Sequence, residues 1–243
     1  MSEVIQIGSQ TMKAQEIVSS LAAYQMLPQL LRELIIDQAI ASIECTPQEI
    51  ANAQKQFYTQ NQINSEEDVK AWAKFHGVSF DQLERVTTRQ FKIEKFKQFS
   101  WGNKLESHFF ENKSKFDKVI YHLLRTQDGA IAQEIYFRIM GGEQSFADLA
   151  KEYSQGPEAQ TGGLVGPVEF GSLHPAMVEK LSTSQPGQLL APIYISGWFV
   201  ILRLEKLVPA QLDEAMKARL INQLFQKWLN EQLQQQQSGE QGN

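Results

Sequence analysis

The stretch GGEQSFADLAKEYSQGPEAQTGGLVGPVEF, Gly141 to Phe170, constrains the fold of this chain more than any other. Ser145 stands where a helix N-cap is wanted, and Phe146, Leu149, Ala150 and Tyr153 recur as one buried helical stripe. Gly162, Gly163 and Gly166 then make a glycine-rich loop, and Gly166 to Phe170 reads as a short strand. A helix and a strand joined so closely point to an α+β unit rather than a doubly wound sheet.

The neighbouring sequence fits that unit. Lys118 to Arg125, KVIYHLLR, is β-branched and aromatic enough for a strand, and Gln127-Asp128-Gly129 follows as a turn. A helix is expected from about Ala130 to Met140 and a short one from Pro175 to Leu181. Two strands, Ile193 to Ile195 and Phe199 to Leu204, turn about Gly197, and Pro209 closes the unit.

The flanks are helical in pattern. Ile17 to Ile43 reads as one long helix or two, with Pro28 as the kink or the opening. Thr46-Pro47-Gln48-Glu49, Ser65 with Asp68, and Ser79 with Gln82 are successive helix starts, and Gly77 suits a C-cap. A segment from Phe80 to Phe99 is interrupted at Gly102 and followed by a helix from Asn103 to Asn112. Residues 1–116 therefore read as an all-helical domain, 117–207 as the mixed domain, 208–233 as a C-terminal helix and 234–243 as a disordered tail. Leu212, Met216, Leu220, Leu224 and Trp228 give the C-terminal helix a broad apolar face, which must pack back on the N-terminal helices or on a second copy in a homodimer.

Composition narrows the partners. With 243 residues, 42% hydrophobic and 21% charged, the chain has ample material for one large core or two small ones. Its formal charge of −5 argues against nucleic acid, yet residues 85–118 hold nine Lys or Arg against four Asp or Glu. That strip is either a solvated helix face or a surface that steers an acidic polypeptide or an anionic membrane. Its aromatics, Phe91, Phe96, Phe99 and Trp101, recur at helical spacing and read as core. A single cysteine, Cys45, excludes a disulfide framework, and the four scattered histidines lack zinc-ligand spacing. No window has the apolar length of a membrane span, and the opening residues lack a secretory pattern, so a cytoplasmic location is expected.

Several motifs in 117–207 occur in the order of one known family. His122-Leu123-Leu124 stands in the first strand, followed by Phe146-x-x-Leu149-Ala150 with Tyr153-Ser154. Then come Gly162-Gly163-Leu164-Val165-Gly166, Pro186-Gly187-Gln188, Pro192 and Gly197-Trp198-Phe199-Val200-Ile201. In this the segment resembles the parvulin peptidyl-prolyl cis-trans isomerases. The resemblance implies a small antiparallel sheet with flanking helices. A helical N-terminal region completed by a C-terminal helix is similar to the SurA and PrsA chaperone-foldases, in which the helical part cradles unfolded polypeptide.

The resemblance implies a reaction without metal or redox cofactor. The barrier to rotating an Xaa-Pro bond is about 20 kcal/mol, because amide resonance must be broken. A site lowers it by favouring the twisted amide over both planar forms. His122 matches the first of two family histidines and is the candidate catalytic residue. Met177 and Leu181 match the methionine and phenylalanine of the proline pocket, and Phe199 and Leu164 are the other candidate binding residues. Phe199 replaces the second histidine, Gly156 a cysteine or aspartate, and Leu164 the turn aspartate. Each change removes a polar group, so His122 is expected to lack its hydrogen-bonded network and activity to be weak. Alongside the site role, His122 also reads as a half-buried strand histidine, and Met177 and Leu181 as ordinary core. Two functions stay open: a foldase acting on unfolded or proline-containing polypeptide, and a non-catalytic holdase or secretion-associated adaptor.

Overall fold

The computed structural model describes residues 4–7 and 10–239. The chain divides into two compact units, residues 106–213 and the remainder on either side.

In the first unit, strands β1 (Val4–Ile7) and β2 (Gln10–Lys13) pair antiparallel. This corrects the all-helical expectation for 1–116. Runs of four residues are too short for alternation to be told from helical periodicity. Helices α1 (Ala14–Ala23), α2 (Leu27–Ile40), α3 (Pro47–Gln60), α4 (Glu66–His76) and α5 (Leu83–Trp101) follow. Pro28 opens α2 rather than kinking a longer helix. Thr46 and Ser65 form capping boxes with Glu49 and Asp68, and Gly77 ends α4 at φ 65°. Gly102 interrupts the helix as expected, capping α5 after Trp101. It starts a single 3₁₀ turn that leads into α6 (Leu105–Phe116), almost all of which belongs to the second unit.

Helix α10 (Glu214–Gly239) completes the first unit. Phe225 and Leu229 on it share a core with Ile35, Ile36 and Ile40 of α2 and Ile93 of α5. Phe96, Trp101 and Trp228 pack around that core, with ring centroids 5.1–6.1 Å apart. Residues 234–239, expected as irregular tail, continue the helix. Glutamine propagates a helix well once an upstream face is anchored by packing.

The basic strip meets acid in the same unit. Arg89 pairs with Glu33 at 2.7 Å and Asp37 at 2.8 Å, Arg85 with Asp37 at 2.6 Å, and Lys95 with Glu49 at 2.9 Å. Lys97, only 6% exposed, reaches Glu94 and Asn222, each at 2.8 Å, and lies over the Phe225 ring. These lysines and arginines therefore tie helices together.

The second unit is built on four antiparallel strands in the order β4 (Leu164–Glu169), β3 (Lys118–Thr126), β6 (Trp198–Val208), β5 (Leu189–Ile195). Helices α7 (Gly129–Met140), α8 (Phe146–Tyr153) and α9 (Pro175–Ser182) cover it. Successive strand residues point to opposite faces, so β3 serves two cores. Val119 and Tyr121 join Leu202 and Leu204 of β6 and Met177 and Leu181 of α9 on one face. Leu124 joins Ile201 on the other, under Ala132 and Ile135 of α7 and Phe146, Leu149 and Ala150 of α8. The glycine loop makes this layering possible. Gly163 has φ 84°, and a Cβ there would come within 2.7 Å of the Leu123 carbonyl oxygen and 3.0 Å of the Phe146 ring.

Candidate functional site

His122 lies on the α7/α8 face of β3, opposite Arg203 of β6 and Leu164 of β4. Its side chain is 13% exposed, and its ring centroid is 5.2 Å from that of Phe146. Its Nδ1 donates to Glu205 Oε1 at 2.8 Å, and Arg203 Nε donates to the same oxygen at 2.8 Å while its guanidinium lies over Phe146. The expected loss of a hydrogen-bonded network is thereby corrected. Glu205 supplies a partner, and with Nδ1 so bound the neutral ring keeps Nε2 as acceptor. Burial, followed by the charge of Arg203, holds His122 below its ordinary value against the opposing pull of Glu205. For Glu205 burial acts upward, but the hydrogen bonds and charges of Arg203 and His122 bring it below the usual carboxylate range.

Of the other candidates, Leu164 alone lies directly beside His122. Phe199 is on the same face but opposite Thr126, with Leu124 and Ile201 between it and the histidine. Its ring packs on Tyr194 at 5.0 Å and against Gly129, where a Cβ would come within 2.8 Å. Met177 and Leu181 are core on the opposite face, 9% and 0% exposed. Leu164 is 46% exposed on the edge strand beside His122. His122 and Leu164 are thus brought together, while Met177 and Leu181 are buried in the core on the opposite face.

That opposite face carries a second polar cluster, which sequence reading missed. Arg125 follows Tyr121 and Leu123 on it, and its guanidinium lies over the Trp198 ring at 5.4 Å. Arg125 Nε is 3.2 Å from Glu158 Oε1, and the Glu158 side chain is only 4% exposed. Ser154 Oγ donates to Glu158 at 2.6 Å and accepts from the Arg125 amide at 3.1 Å. Tyr121, 3% exposed, is pushed up to about 12 by burial and then by the charge of Glu158. Leu123, Val165, Leu173 and Trp198 are half-buried apolar side chains packed on the same core. The available signal was charge in apolar surroundings for the first cluster, Arg203 and Glu205 within VILRLEKLV, whereas Glu158 stands in a polar loop that carries no such signal.

Known proteins match this architecture. Residues 111–206 match the rotamase family, the PPIC-type PPIASE domain. The chaperone SurA of Salmonella choleraesuis is 36% identical over 110 residues, which is 41% of this chain and 26% of that protein. SurA of Bordetella parapertussis is 32% identical over 96 residues, 39% of this chain and 18% of that one. The chain thus spans only 18–26% of the length of these relatives. The foldase protein PrsA of Caldanaerobacter subterraneus is 24% identical over 221 residues, 89% of this chain and 66% of that one. Among solved structures, the peptidylprolyl isomerase PrsA of Bacillus cereus superposes with a TM-score of 0.54 at 18% identity, covering 96% of this chain and 90% of that one. Residues 111–206 form a parvulin-type domain, as the motif order implied, in a chain with a PrsA-like fold.

Proposed function

We propose that this chain is a parvulin-type foldase that binds unfolded or proline-containing polypeptide and isomerises Xaa-Pro bonds weakly. The match of residues 111–206 to the PPIC-type domain carries the reading. Weak activity is supported by Phe199, Gly156 and Leu164 standing where the family motifs carry polar side chains. Exchange NMR on a short Xaa-Pro peptide tests it. Acceleration over the uncatalysed rate is expected, and none at high protein concentration would sink the catalytic part.

A holdase reading has its own support in the helical unit. Tyr24, Phe75, Phe80 and Phe99 are 73%, 86%, 67% and 85% exposed, far more apolar ring surface than a finished core leaves out. Such rings would grip unfolded chain irrespective of proline. The check is suppression of aggregation of a denatured, proline-free client. If the four ring-to-serine changes leave suppression untouched, the helical unit is not the gripping surface. A secretion-system component and a second copy of the chain are the further partners in this proposal. Sedimentation decides the second directly.

A further inference from the structure

We propose that Arg125 is a substrate-contacting group of this domain, seated by Glu158 in the volume that a side chain at position 156 would fill, and that it donates a hydrogen bond to the prolyl nitrogen of a twisted Xaa-Pro amide. This rests on the isomerase reading above.

Gly156 has φ −118° and ψ 174°, an extended conformation open to any residue. Its backbone therefore does not call for glycine. Space does, because a Cβ there would collide with Arg125 Nε and Nη2 and with Glu158 Oε2. The position at which the resemblance places a cysteine or aspartate has thus been emptied, and a guanidinium-carboxylate pair occupies the room.

The pair is built as a fixed donor. Glu158 is buried and held by Ser154, which also holds the Arg125 amide, and Trp198 stacks on the guanidinium. Yet among the described residues the guanidinium makes no hydrogen bond. Nε is buried and its approach to Glu158 is out of line, so that contact is a charge pair only. The side chain is 31% exposed and lies against the half-buried Trp198 ring, on the strand face that carries Leu123. It therefore presents unfilled N–H donors next to apolar surface that can receive a proline ring.

The chemistry favours the nitrogen as acceptor. In a planar amide the nitrogen lone pair is delocalised into the carbonyl, and on twisting it localises on a pyramidal nitrogen. A donor aimed there gains its partner only in the twisted state, so it speeds rotation without tightening ground-state binding. No covalent bond forms or breaks, and the proton stays on Arg125.

Exchange NMR and titration with a short Xaa-Pro peptide, using the full chain, test the assignment. Arg125→Lys keeps the charge beside Glu158 and so guards against misfolding, which the amide spectrum checks, while Arg125→Ala removes the group. Both should leave peptide affinity unchanged and lower the saturated exchange rate about tenfold or more, the size of a lost hydrogen bond to a charged group. Glu158→Gln should lower the rate less and broaden the Arg125 Nε–H resonance, as expected of a positioning residue. Retention of the wild-type rate by both Arg125 variants, or loss of affinity at an unchanged saturated rate, would overturn the assignment and leave the isomerase reading standing. Binding without acceleration by the wild type would overturn both. Neither binding nor acceleration would remove the peptide-binding reading as well.

Discussion

His122 Nδ1 lies 2.8 Å from the Glu205 carboxylate, 83 residues away in the chain. The pair sits where burial and Arg203 disfavour a charged imidazole, so His122 titrates below its ordinary 6.5. A lowered histidine contributes stability that is complete above 6.5 and is lost as pH falls from there toward the folded value. Glu205, also lowered, adds a second loss only further down, as pH falls from 4.5 through its own folded value. Urea midpoints across acid pH should follow this order. In Glu205→Gln the imidazole should titrate lower still, and a ring-proton titration above 6.5 in the wild type would show that Glu205 outweighs burial and Arg203.

Tyr121 offers an independent reading of the other cluster. Its phenol should titrate near 12 in the wild type, burial being the larger cause and Glu158 the second. In Glu158→Gln the midpoint should fall but stay above 10, because burial persists. An unchanged phenolate absorbance titration would place Glu158 too far from Tyr121 to matter.

Three glycines should respond differently to alanine. At Gly163 a positive φ and a Cβ 2.7 Å from the Leu123 carbonyl act together, with a cost of about 2–4 kcal/mol. Gly187, at φ 82° with nothing within 4 Å, should lose only the left-handed penalty of about 1 kcal/mol. Gly156→Ala has no backbone strain, and its cost, about 1–3 kcal/mol, comes from displacing Arg125 and Glu158. Denaturation midpoints rank the three. Gly187→Ala as the most damaging would refute this account.

Leu181→Ala distinguishes core from site. The side chain is fully buried, so the loss should be about 2–5 kcal/mol of stability. Met177→Ala, at 9% exposure, should behave similarly and somewhat more mildly. If either variant keeps wild-type stability and loses peptide affinity, the residue belongs to a proline pocket after all.

Local signals were legible because they act within one turn of chain. Thr46 with Glu49, Ser65 with Asp68 and Gly77 announce helix ends through hydrogen bonds spanning three or four residues. The glycine loop and the motif order identified the parvulin-type domain in the same way. The β1–β2 hairpin was missed because four residues carry too little pattern, and Gln234 to Gly239 because low complexity reads as disorder even where an anchored helix runs through it.

The sequence by itself determined the mixed unit around Gly141 to Phe170, the helices that flank it and the polar groups absent at positions 156, 164 and 199. The tertiary structure alone decided what took their place. Strand register sets His122 against Arg203 and within reach of Glu205, and the packing of α9 places Met177 and Leu181 on the opposite face. The return of the 154–163 loop puts Glu158 beside Arg125 over Gly156. Side-chain partners across strands and loops depend on register and face, and a shift of one residue would exchange every one of them.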